Sequence, residues 1–130
     1  METVLKFLQD AQVFYISTVD GDQPRVRPFG AIANINGKLC TCTNITKNVY
    51  KQMATNPKIE ISAMAEGKWI RLTATAVADD SVEAKTAMLE ACPSLKNMYS
   101  VDDGVFVVIA ITDATAQICS FTEAPVEIKF

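Results

Sequence analysis

Apolar and polar residues alternate with a period of two over most of this chain, interrupted by three stretches where the spacing becomes helical. Val4, Leu5 and Leu8 predict a short amphipathic helix over residues 1–11. Val13 to Val19 is β-branched and aromatic, a strand closed by the turn pair Asp20-Gly21. A second strand is predicted from about Arg25 to Asn34, and Asn36-Gly37 supplies the positive φ angles of a tight hairpin back into Lys38 to Thr43. Val49 and Met53 then mark one face of a helix that Pro57 ends, because a residue before proline avoids helical geometry. Lys58 to Ala65 and Trp69 to Ala78 read as a hairpin around Glu66-Gly67. Asp80 and Glu83 suggest a capping box, followed by a helical face of Ala84, Ala87, Met88 and Ala91. Pro93 breaks that helix, and a short turn through Leu95 and Met98 follows. Two further strands are predicted, about Val105–Thr112 and Ala116–Phe121, with the tail from Glu123 draped over the surface.

Strands joined by short turns pair antiparallel, and six or seven of them suit a small barrel with helices plugging its ends. The expected fold is therefore mainly β with α, in one domain over residues 1–130.

Composition narrows the chemistry. The chain is 49% apolar and 21% charged, a globular balance, and its net charge of -3 disfavours nucleic acid as a partner. No apolar run is long enough to span a bilayer and no signal peptide is visible, so a cytoplasmic location is expected and a membrane partner is not. The four cysteines, with Cys40 and Cys42 expected to face apart, read as reduced structural thiols. With no histidine and no CxxC pair, a metal site is not expected, and neither is a histidine-assisted nucleophile.

The three arginines, Arg25, Arg27 and Arg71, all fall in predicted strands, the first two on one face. Thr43-Asn44-Ile45-Thr46-Lys47-Asn48 is a polar turn entering a helix, whose unpaired N–H groups and partial positive charge suit a phosphate. Thr43 and Thr46 add hydroxyl donors and Lys47 a mobile charge; a tight hairpin would bring Arg27 and Thr43 onto adjacent strands. The same residues also fit exposed ion pairs and an ordinary helix cap, and Trp69 fits core packing as well as ligand stacking. Asp79-Asp80 and Asp102-Asp103 read as cap and turn residues rather than paired catalytic carboxylates.

Four segments, Pro24-Arg25-Val26-Arg27-Pro28-Phe29, Asn36-Gly37-Lys38-Leu39, Thr43 to Asn48 and Gln52 to Ile59, resemble in order and spacing the pyridoxamine-phosphate-oxidase-like family of flavin-binding split barrels. Trp69 to Ala76 is similar to the family's next signature, and Pro93 to Tyr99 to its short bacterial members. The resemblance implies an antiparallel split barrel that forms a homodimer, with FMN in a groove between subunits. It implies that Arg27, Thr43 and Lys47 hold the phosphate, with Asn48 as a further donor. Pro28, Phe29 and Cys42 would line the flavin, and Trp69 would reach the ring from the partner subunit. True pyridoxamine phosphate oxidases carry a further carboxy-terminal segment with arginine and histidine that this sequence lacks, so that oxidation is not expected. Nor does it carry the pocket histidine of the nitroimidazole-resistance relatives. The functions left open are an FMN-dependent oxidoreductase acting on a small organic molecule, and a non-catalytic flavin carrier, store or sensor. No catalytic residue can be assigned.

Overall fold

A computed structural model describes all 130 residues, Met1–Phe130. Helix α1 (Glu2–Ala11) buries Val4 and Leu8, one turn apart on the same face. Strands β1 (Phe14–Asp20) and β2 (Gln23–Phe29) form a hairpin about Gly21, at φ 62°. Short β3 (Ala33–Ile35) pairs with β4 (Lys38–Asn44) across Asn36-Gly37. Helix α2 (Asn48–Thr55) precedes the hairpin of β5 (Lys58–Ala65) and β6 (Lys68–Asp79). Helix α3 (Val82–Ala91), a 3-10 helix (Pro93–Asn97), β7 (Phe106–Cys119) and β8 (Val126–Lys129) complete the chain.

The sheet runs β2-β1-β5-β6-β7-β4-β3, antiparallel throughout, with β8 also on β7. β2 and β3 lie at opposite ends of that order, yet only residues 30–32 separate them. Laid flat, six inter-strand gaps would span about 29 Å. The link from Phe29 to Ala33 reaches at most about 14 Å. The sheet must therefore curl until its ends approach, and since those ends do not pair, the barrel is split.

Several expectations are corrected here. The strand expected from Arg25 to Asn34 divides at Gly30–Ile32, where the chain crosses between the two ends of the sheet. The two expected final strands are one, β7; Asp113 at φ 47° and a register shift opposite Thr73 and Thr75 bend it without ending it. The tail is not draped: β8 pairs with Thr115–Ile118, an edge of β7 that β4 leaves open, making eight strands. Cys40 and Cys42 do not face apart. The two-residue strand period sets both on one face, buried in the same cluster, and all four cysteines are free thiols. Ser81, not Asp80, caps α3, accepting from the Ala84 N–H at 3.2 Å, while Asp80 pairs with Lys85 at 2.7 Å.

β7 is buried on both faces from Phe106 to Ile111 because it divides two cores. Val107, Ile109 and Ile111 join Phe14, Ile16, Ile61, Ile70 and Leu72 inside the barrel. Phe106, Val108 and Ala110 meet Met88, Leu89 and Leu95 beneath α3.

Before β7, the Asp103 carboxylate accepts from the N–H groups of Ser100, Val105 and Phe106, which holds its pKa below the ordinary 3.8. A carboxylate depressed on folding contributes stability that is present at neutral pH and lost as pH falls through the folded value. Asp103→Asn is accordingly expected to lower the melting temperature at neutral pH. Its deficit should narrow as the pH falls below the ordinary carboxylate value and through the lower folded one, where the wild type loses the same contribution. Scanning calorimetry across that range is the check; a constant deficit would contradict it.

Candidate functional site

The approach of the two sheet ends creates a pocket of about 200 Å³. β2 supplies Arg27, Pro28 and Phe29; β4 supplies Cys42 and Thr43; Lys47 and Val49 come from the start of α2. Six of the eight residues singled out from the sequence thus meet here. Arg27 and Thr43 do so by a route other than the one expected. The hairpin partner of β4 is β3, and β2 arrives from the far end of the curled sheet.

Arg27 is turned inward. Its Nη1 donates to the Thr18 hydroxyl at 2.7 Å and the Ile16 carbonyl at 3.2 Å, with a longer contact of 3.4 Å to the Arg25 carbonyl. Its Nη2 donates to Gln52 Oε1 at 2.7 Å. Both Nη1 hydrogens and one on Nη2 are engaged, leaving Nε–H and the second Nη2 hydrogen free. Those two donors belong to the guanidinium fork that accepts an oxyanion bidentately. Burial, and then neighbouring Arg25, lower the Arg27 pKa, but a guanidinium stays charged. Arg25, two residues earlier on the same face as expected, is exposed and pairs with Asp20 at 3.1 Å.

The start of α2 adds to the positive potential. Lys47 is its N-cap, with no side-chain cap, and the first helical bond runs from the Lys51 N–H to the Lys47 carbonyl. The N–H groups of Asn48, Val49 and Tyr50 therefore have no acceptor within the helix. Lys47 makes no ion pair, and no aspartate or glutamate lines the pocket. Thr43 is buried at its floor, whereas the Thr46 hydroxyl is spent on Asn44 Oδ1 at 2.7 Å.

The opposite wall is apolar and was missed from the sequence. Leu95, Met98 and Tyr99 reach the pocket from the 3-10 helix and the residues after it. Tyr99 stacks on Phe106 with centroids 4.9 Å apart, and Phe29 on Phe14 at 6.1 Å. Three closely spaced apolar residues after Pro93, too few for a core helix of their own, were the available signal. Burial raises the Tyr99 pKa, with Cys42 and Asp103 adding to it, so the phenol keeps its proton at neutral pH. Burial, then Cys92, pushes the Cys42 thiol up to about 12, so it too is neutral.

Two sequence candidates lie elsewhere. Asn48 lines a neighbouring polar groove with Gln52 and Asp20. Trp69 packs against Phe121 at 5.0 Å and lines an outer depression with Tyr15 and Val26. A larger apolar cavity of about 360 Å³, between α2 and β6, carries no charged side chain.

The Pyridoxamine 5'-phosphate oxidase family model matches residues 1–117. A NimC/NimA family protein from Clostridium acetobutylicum shares 50% identity over 100% of this chain and 92% of its own, with a TM-score of 0.98. General Stress Protein 26 from Bacillus anthracis is 18% identical over 99% of this chain and 97% of its own, with a TM-score of 0.78. A heme binding protein from Mycobacterium smegmatis is 15% identical over 95% of this chain and 55% of its own, with a TM-score of 0.69. The last two are likenesses of fold. A comparison with curated proteins finds no match. No helix is long and apolar enough to cross a membrane.

Proposed function

The chain belongs to the pyridoxamine 5'-phosphate oxidase family, and we propose that it is a single-domain cytoplasmic flavoprotein that binds FMN as a homodimer and serves as an oxidoreductase for a small organic molecule. The observation that carries this reading is the oriented, uncompensated charge of Arg27 beside Lys47 and an uncapped helix start, in a pocket without carboxylates. Those donors fit a phosphate, which Arg27 and Lys47 would hold by charge-assisted hydrogen bonds with Thr43 beside them. Charge-assisted hydrogen bonds contribute about 1.5–3 kcal/mol each, so three give roughly 5–9, against about 8 for micromolar affinity.

The pocket's 200 Å³ is smaller than the roughly 300–1,000 Å³ that encloses a drug-sized ligand, so a flavin extends past this chain's own walls. That supports a second copy completing the site. The outer face bearing Val26, Met64 and Phe121, exposed at 65%, 69% and 91%, supports it too, because a partner would cover it and could bring its own Trp69. Asn48, which lines the adjoining groove, would add only its free backbone N–H at the helix start.

When bound, FMN supplies the redox chemistry of its ring. The chain's own residues hold the phosphate, flank the ligand with Phe29 and Tyr99, and keep two neutral proton carriers, the Tyr99 phenol and the Cys42 thiol, in the wall. With neither histidine nor carboxylate lining the pocket, a carrier, store or sensor remains the second reading. Titration with FMN, followed by fluorescence quenching and gel filtration, tests the proposal. The expected results are binding at micromolar or lower concentration and a dimeric elution volume. A chain that leaves FMN unquenched, or takes up heme in its place, would overturn it. Reduction of bound FMN by a nicotinamide, with turnover of an acceptor, separates the enzyme from the carrier.

A further inference from the structure

We infer that Gln52 and Thr18 are positioning residues that make this pocket selective for a phosphorylated flavin by fixing the Arg27 guanidinium without neutralising it. The inference rests on the phosphate reading above and extends it to two side chains that do not line the pocket.

Three elements contribute one residue each to a closed ring. Thr18 of β1, buried at 2% exposure, accepts from Arg27 Nη1 and donates to Gln52 Oε1. Gln52, in the second turn of α2, accepts from Arg27 Nη2 with that same oxygen. The Ile16 carbonyl and, at longer range, the Arg25 carbonyl complete the set on Nη1. Every acceptor occupies the guanidinium edge away from the free fork, so the ring sets the direction in which the fork points.

Every acceptor is also uncharged. A carboxylate at position 52 could hold the guanidinium equally well, but its charge would cancel the attraction for an incoming anion. The charged groups nearby do not supply that cancellation: Asp20 is engaged by Arg25, and Lys51, on the outer side of α2, is itself a cation. An amide at 52 and a hydroxyl at 18 therefore give Arg27 orientation while preserving its charge. Gln52 faces the neighbouring polar groove rather than the pocket, so its effect on a ligand must pass through Arg27.

Dissociation constants for FMN and for riboflavin, which lacks the phosphate, should be measured on the full chain. The set is the wild type, Gln52→Leu, Gln52→Glu, Thr18→Val, Arg27→Ala and the double variant Arg27→Ala/Gln52→Leu. Gln52→Leu and Thr18→Val are expected to raise the FMN constant about tenfold, the scale of one charged hydrogen bond, with riboflavin unchanged within about twofold. Gln52→Glu is expected to exceed that loss, and to flatten the dependence of FMN affinity on salt, because the guanidinium is then paired. In the Arg27→Ala background, Gln52→Leu should add nothing. A wild type that binds both flavins equally would overturn the phosphate reading and this inference together. A wild type that prefers FMN, with variants that keep the preference or weaken both flavins alike, would overturn the positioning role alone. Thr18→Val and Gln52→Glu test the ring from separate sides, so misfolding of one variant leaves the others to decide.

Discussion

Arg27→Ala is expected to weaken FMN binding by about 1.5–3 kcal/mol, tenfold or more, while leaving riboflavin affinity nearly unchanged. The side chain enters the pocket with two donors free and its other contacts satisfied by neutral oxygens, so its truncation removes a preorganised grip rather than a mobile surface charge. Lys47→Ala should cost less, because that ammonium is exposed and must be ordered on binding. Arg27→Lys should not restore affinity, since an ammonium cannot both bridge Thr18 and Gln52 and present a fork. Fluorescence titration at fixed ionic strength reads all three. Unchanged affinity in both alanine variants would mean that the phosphate binds somewhere else. Loss of riboflavin binding in equal measure would mean that Arg27 shapes the pocket without contacting phosphate.

Phe106→Ala is expected to destabilise the fold by about 3–5 kcal/mol, the usual cost of emptying a large aromatic site from a core. Phe106 is 1% exposed at the first position of β7, opposite Asn44 of β4. Its ring fills the smaller core beneath α3 and forms the platform on which Tyr99 stacks. Loss of the ring should therefore also loosen the pocket's apolar wall. Phe106→Leu, which keeps most of the volume, should restore much of the stability but not the stacking. Urea unfolding of the three proteins gives the free energies, and near-ultraviolet circular dichroism follows Tyr99. A loss below about 1 kcal/mol for the alanine variant would show that the smaller core collapses around the gap, and would remove the reason for assigning that wall to Phe106.

Much of this protein was legible from local pattern alone. Val4 and Leu8 set one face of α1, Asn36-Gly37 turns β3 into β4, and Pro57 ends α2, because each depends on residues within one turn of one another. The cationic group and the uncapped helix start were also readable, since arginines are few and the segment from Thr43 to Asn48 is distinctive. Pairing between distant segments was not. The division of β2 from β3 is invisible in their alternation, which continues across Gly30. It follows from β2 joining β1 at one end of the sheet and β3 joining β4 at the other. β8 likewise exists because β7 leaves an edge open beside Thr115–Ile118, a vacancy created only once β4 is in place. Tyr99 enters the pocket wall because Phe106, seven residues on, offers it a ring, and Gln52 meets Arg27 because the sheet curls. Residue types and short-range spacing determined which groups could bind an anion; the closure of the barrel decided which of them face one another. That closure is a sum of long-range backbone pairings, and period and composition carry no record of which partner each strand selects.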